Sequence, residues 1–127
     1  MLDRVRLEGD WEAWVDFFLE GVEHVAAGAV ETARRLVGLF DEDRKRVQEL
    51  GRIAATTLRV FGVLCQRPLV TLNHVRDRAG ISFPSAAKGM DALMRLGIAR
   101  ELTGQRRNRV FAYDRYLSIL NEGTEPL

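Results

Sequence analysis

Three arginines, Arg106, Arg107 and Arg109, crowd the polar stretch Thr103-Gly-Gln-Arg-Arg-Asn-Arg109, and Lys88 follows Ser85 by about one helical turn in Phe83-Pro-Ser-Ala-Ala-Lys88. A guanidinium presents a planar fork that matches phosphate oxygens, and a hydroxyl and an ammonium at three-residue spacing share one helix face. Such a set binds an extended anion; it does not break bonds. The side chains capable of covalent or metal chemistry are scattered. His24 and His74 lie fifty residues apart and the one cysteine, Cys65, sits in an apolar stretch, so no metal set assembles and no cofactor is expected. His74 reads as a structural residue, with a phosphate contact as its alternative, and His24 as a surface or partly packed helix residue. No G-x-x-x-x-G-K-[ST] phosphate loop is present. Asp41, Glu42 and Asp43 fall in a charged run and are expected to be solvated.

The elements that must position the cationic set are legible between Val70 and Tyr113. Leu72, Val75 and Ala79 recur at three and four residues while Arg76, Asp77 and Arg78 fall opposite, which predicts a short amphipathic helix closed by Gly80. Ser82 is a suitable N-cap and Pro84 is tolerated in a first turn, so a second helix is expected from about Phe83. Ala86, Met90, Leu93 and Leu96 make its buried stripe, leaving Ser85, Ala87, Lys88, Asp91 and Arg95 outward, with Gly97 closing it. An outward face that begins with small polar and basic residues suits entry into a major groove. Ala86 and Ala87 reach at most a thymine methyl there, and Gly89 costs the helix about 1 kcal/mol relative to alanine.

Past Gly97 the period falls to two: Ile98, Arg100 and Leu102 alternate with Ala99 and Glu101, and Val110 to Tyr113 follow the polar break. Gly104 and Asn108 suit turn geometry, so a hairpin with a basic tip is predicted. With Val70 and Thr71 as a short first strand, the fold class is mainly α with a small β wing: an N-terminal helical segment followed by a winged helix-turn-helix.

The formal net charge of +1 over 127 residues conceals a division. Residues 1–51 carry seven Lys and Arg against twelve Asp and Glu, and residues 52–127 carry twelve against six. The basic half holds the wing, as expected of a nucleic-acid-binding module joined to something else. Hydrophobic content of 46% is ordinary for a globular chain, no apolar run of about 18 residues suggests a membrane span, and the unpartnered cysteine fits a reduced cytoplasmic setting.

In the acidic half, Asp10 is a candidate cap for a helix bearing Trp11, Val15, Phe18, Val22 and Val25 in one stripe, flanked by Trp14 and Phe17. That face is too broad for one neighbouring helix, so Trp11, Trp14, Phe17 and Phe18 are assigned to dimerisation or docking. Helical pattern resumes through Ala33, Leu36, Val37 and Phe40 and again over 41–50, where i,i+3 and i,i+4 ion pairs are available. Gly51 is a weak boundary. Beyond it Ile53, Thr57, Leu58, Val60, Phe61 and Leu64 describe the first helix of the winged module, ended by Arg67-Pro68, and Cys65 reads as core. Asp114 is a candidate cap for a last helix that docks through Tyr116, Leu117 and Leu120. The expected organisation is a helical extension over 1–51, a winged helix over 52–123 and a frayed tail over 124–127.

The chain also carries a family resemblance that covers nearly all of it. The stretch from Leu2 to Val22, most specifically Gly9-Asp-Trp-Glu-Ala-Trp14 with Phe17-Phe-Leu-Glu-Gly-Val22, resembles the segment that directly follows the catalytic core in bacterial Fic-family proteins, the AMP-transferring enzymes. Residues 101–123 are similar to the end of the C-terminal winged helix into which such chains commonly continue. The resemblance implies a parent with a Fic core that is missing here, whose loop has a His-Pro-Phe start and a Gly-Asn-Gly-Arg core. Neither His24 nor His74 has that context, so this chain is expected not to be an enzyme, and Met1 is expected to mark an artificial or truncated start. On that resemblance the aromatic face at Trp11 to Phe18 would have packed on the absent core.

The expected activity is regulatory binding of duplex DNA, with Ser85 and Lys88 approaching the major groove and Arg106, Arg107 and Arg109 holding the backbone, in a homodimer. The alternative is a protein-interaction or dimerisation module with no nucleic-acid role.

Overall fold

The computed structural model describes the backbone of residues 8–104 and 108–124, and the side chains of 14–21, 27–104 and 108–122. The chain divides into two compact units, Met1–Arg34 and Arg35–Leu127. One helix, α1 (Glu8–Gln48), supplies the described part of the first and enters the second. Asp10 lies within it and is not its cap, and the stretches expected to resume separately at Glu31 and Asp41 continue the same helix. Nothing between them breaks it: Gly28 and Gly38 each cost only about 1 kcal/mol in a helix interior, and there is no proline.

In the first unit Trp14 stacks on Phe18, with centroids 5.7 Å apart and planes within 15°. Phe17, Phe18 and Leu19 are exposed by more than half, led by Phe17 at 76%. The side chains of Trp11, Val22, His24 and Val25 lie outside the described residues.

The second unit holds the core. A 3-10 turn (Gly51–Ile53) leads into α2 (Ala54–Gln66), followed by β1 (Leu69–Thr71), α3 (Leu72–Ala79), α4 (Phe83–Arg95), β2 (Arg100–Glu101), β3 (Val110–Ala112) and α5 (Asp114–Thr124). The three strands form an antiparallel sheet in the order β1-β3-β2, with Val70 opposite Phe111 and Glu101 opposite the same residue on the other side. Arg67, extended before Pro68, ends α2 as expected. The fold class read from the sequence is therefore the one found: mainly helical, with a helix-turn-helix followed by a small antiparallel wing.

Apolar side chains from the five helices and from β1 and β3 meet in one cluster that includes Leu39, Val47, Val60, Phe61, Leu64, Val75, Met90, Leu93, Phe111 and Tyr113. Ile98 and Ala99 are both buried, whereas Arg100 and Leu102 are exposed. The expected alternation from Ile98 to Leu102 is thus absent, because pairing begins only at Arg100 and the two residues before it plug the core where α4 ends. Ile98 N–H and Ala99 N–H both reach the Leu93 carbonyl there.

The charged run of α1 contains the largest departure from expectation. Asp43 is fully buried, although its neighbours Asp41 and Glu42 are exposed. Successive helix positions turn by about 100°, so one carboxylate of the run faces inward. Tyr113 Oη donates to Asp43 Oδ2 at 2.5 Å, and Arg46 and Arg115 bring guanidinium nitrogens to 3.3 and 3.8 Å from Oδ1. A buried carboxylate is tolerable only when its lone pairs are met this way. Arg46 also donates to the Leu96 carbonyl, which ties the end of α1 to the C-terminus of α4.

Candidate nucleic-acid interface

The helix-turn-helix is built from three local devices, two caps and a stop. Thr71 Oγ1 accepts from His74 N–H at 3.2 Å, which caps α3 as it leaves the sheet. At its other end Gly80 adopts φ 66°, where a side chain would be strained, and its N–H reaches Arg76 O. Ser82 Oγ then accepts from Ser85 N–H at 3.2 Å and caps α4, with Pro84 in the first turn. Gly80, Ser82 and Pro84 act here as expected from the sequence, whereas the Thr71 cap was not read from it.

What holds α4 against the core is a close approach as well as an apolar stripe. Ala86, Met90 and Leu93 are buried as expected, and Gly89 is buried with them. A Cβ on Gly89 would stand 2.6 Å from Val60 Cγ2 and 3.5 Å from the Thr56 carbonyl, so the glycine is what lets α2 and α4 pack at this distance. Its helix-propensity cost is therefore offset by the contact it allows. Ala86 faces inward and cannot meet a thymine methyl, contrary to expectation.

The outward face of α4 keeps Lys88, Asp91 and Arg95 exposed, with Ser85 and Ala87 half-buried. Among the described residues Lys88 and Arg95 have no ion-pair partner, whereas Ser85 Oγ already accepts the Ser82 hydroxyl at 2.9 Å. The structure thus brings Ser85 and Lys88 to one end and face of α4. Phe83, the first residue of the helix, is 44% exposed, which its position in the sequence does not reveal.

The wing is fastened at its base. Leu102 N–H reaches Val110 O at 2.8 Å, and Thr103 Oγ1 accepts from Val110 N–H at 3.3 Å. Gly104 and Asn108 both adopt positive φ, as their turn assignment required. Arg109 donates to Glu101 Oε1 at 2.8 Å, and its guanidinium carbon lies 5.0 Å from the centre of the Phe111 ring. The hydrogen bond from Arg109, joined by that from Thr103, holds the Glu101 carboxyl below its ordinary range. The same bond raises Arg109, with a smaller contribution from Asp91 on α4. Arg109 is thus bound into the hairpin base, where the sequence had grouped it with the tip arginines. Arg106 and Arg107 lie outside the described residues. On the far side of β2, Arg100 donates twice to Asp114, at 2.7 and 3.2 Å, and so fixes the wing to the start of α5.

The remaining chemistry-bearing residues do not converge. His74 is half-buried and lines a cleft of about 130 Å³ with residues of β1 and β3. Burial pushes the Cys65 thiol up to about 12, far from the thiolate form a nucleophile or ligand needs. Among the described residues no three His, Cys, Asp or Glu side chains are placed to hold a metal, and no helix is long and apolar enough to cross a membrane.

No family model and no curated protein matches the chain. Among solved structures it is similar to RV1404 from Mycobacterium tuberculosis, at 18% identity over 81% of this chain and 71% of that one, with a TM-score of 0.46. A MarR family transcriptional regulator from Silicibacter pomeroyi is similar at 13% identity over 94% of this chain and 71% of that one, TM-score 0.44. A MarR mutant from E. coli, solved in complex with operator DNA, is similar at 14% identity over 70% and 69%, TM-score 0.41. A shared function does not follow from a similar course of chain at such identities. The resemblance to Fic-family proteins finds no support in these comparisons.

Proposed function

We propose that this chain is a winged-helix module that binds duplex DNA in a regulatory role. The observation that carries the reading is the outward face of α4, where Lys88 and Arg95 stand exposed and have no ion-pair partner among the described residues, in the basic half of the chain. Ser85 and Lys88 approach the major groove, and Arg106 and Arg107 hold the backbone from the wing tip. Arg109 acts one step back, keeping the hairpin base in shape through Glu101. The aromatic face of α1, with Phe17 and Phe18 exposed, joins two copies into a homodimer, so that two recognition helices address one duplex. Fluorescence anisotropy with random duplex DNA tests the reading. Affinity should fall steeply with salt, since phosphate neutralisation releases counterions, and binding indifferent to salt would refute it.

The Fic-type parent is a separate proposal that rests on the resemblance of residues 2–22 and 101–123 alone. It is tested by the genomic sequence upstream of Met1, where a His-Pro-Phe start with a Gly-Asn-Gly-Arg core should be encoded in frame. A different upstream domain would remove it.

A further inference from the structure

Helix α4 carries three charged side chains, Lys88, Asp91 and Arg95, at spacings of three and four residues. Helical geometry puts them on one face, within about 60° of one another. All three are exposed, whereas Met90, Ala92 and Leu93 between them are buried. Asp91 therefore stands in the middle of the outward face, with a cation on each side of it along the helix. No hydrogen bond or ion pair engages its carboxylate among the described residues, and Arg109 of the wing, which feels its charge, gives its hydrogen bond to Glu101 instead.

Asp91 has the wrong charge for a phosphate contact. A carboxylate carried into the major groove between Lys88 and Arg95 loses water and meets a polyanion, which costs free energy unless a donor replaces the water. The groove offers donors of one kind, the exocyclic amino groups of cytosine and adenine. The adenine amino group is flanked on both sides by acceptors, its own N7 and thymine O4, and these repel a carboxylate. Beside the cytosine N4 amino group an acceptor stands on one side only, the O6 of the paired guanine, which with N7 suits Lys88 or Arg95. We propose that Asp91 is a specificity-determining residue that accepts from cytosine N4 and excludes other bases from that position. The inference rests on the reading of α4 as the groove-entering helix.

Affinity selection from a randomised duplex pool tests it, with the wild-type chain, Asp91→Ala and Asp91→Asn. The wild-type pool should fix a C·G pair at one position. Asp91→Ala should relax that position alone and, having shed a negative charge, should bind random duplex tighter than wild type. Asp91→Asn should move the preference to adenine, whose N6 and N7 pair with an amide. On the selected duplex, exchanging that C·G pair for T·A should weaken wild-type binding about tenfold and leave Asp91→Ala unaffected. Salt-sensitive wild-type binding with no fixed C·G position would overturn the inference and leave DNA binding in place. A C·G position retained by folded Asp91→Ala would do the same. No binding to any duplex at low salt would remove both.

Discussion

Tyr113, at the end of the wing sheet, donates a 2.5 Å hydrogen bond to the fully buried carboxylate of Asp43 in α1, seventy residues earlier in the chain. The pair ties the long helix to the sheet, and Arg46 extends the tie to the end of α4 through the Leu96 carbonyl. Phe40, Phe61 and Tyr116 place rings within 5.1–5.9 Å of one another or of Tyr113 around it. Removing Asp43 leaves the phenol without its acceptor. Arg46 and Arg115, at 40% and 55% side-chain exposure, lose less because water replaces the carboxylate for them. Asp43→Ala should therefore lower unfolding free energy by about 2–3 kcal/mol, and Tyr113→Phe by about 1–2 kcal/mol, in urea melts. The double variant should cost less than the sum. Strict additivity would mean that the contact contributes nothing.

Much of the second unit was legible in the sequence and this tie was not. Gly80, Ser82, Pro84 and Arg67-Pro68 act locally, through backbone preferences that a single sequence displays. The burial of Ala86, Met90 and Leu93 likewise follows from spacing. Asp43 sits in a run of charges whose other members are solvated, and its partner is far along the chain. No local signal separates it from Asp41. Gly89 is the same case, because its role is set by Val60 on another helix.

Gly89→Ala should be destabilising by about 1–3 kcal/mol despite alanine's better helix propensity, since its Cβ meets a buried valine whose χ1 is stiff. Val60→Ala in the same chain should recover part of that loss. A gain in Tm for Gly89→Ala alone would show that the helices yield easily.

Stability should fall at both ends of the pH range, for different groups. Burial, reinforced by the bond to Asp43, raises the Tyr113 hydroxyl above the ordinary phenol range. The unfolded chain then loses that proton first, so stability declines as pH rises beyond about 10. Glu101 is shifted the other way by Arg109, so its contribution is present above the ordinary glutamate range and is lost as pH falls below it. Thermal melts across pH check both, and Tyr113→Phe should flatten the alkaline limb only.

With its thiol raised to about 12, Cys65 should react slowly with a disulfide reagent at neutral pH and rapidly once urea unfolds the chain. Fast labelling of the native protein would contradict the packing given for α2.

Sedimentation velocity should show a concentration-dependent dimer, converted to monomer by Phe17→Glu/Phe18→Glu, because these rings are exposed by 76% and 55%. A wild-type monomer at high concentration would exclude pairing through this face.

The most direct measurement of the central claim is an anisotropy titration of random duplex DNA at low and moderate salt with the wild-type chain and Arg106→Ala/Arg107→Ala. Salt-sensitive binding that weakens by about tenfold or more in the double variant, with a shallower salt slope, is the predicted result. No binding by the folded wild-type chain at low salt would contradict it, and would leave this winged helix as a protein-interaction module.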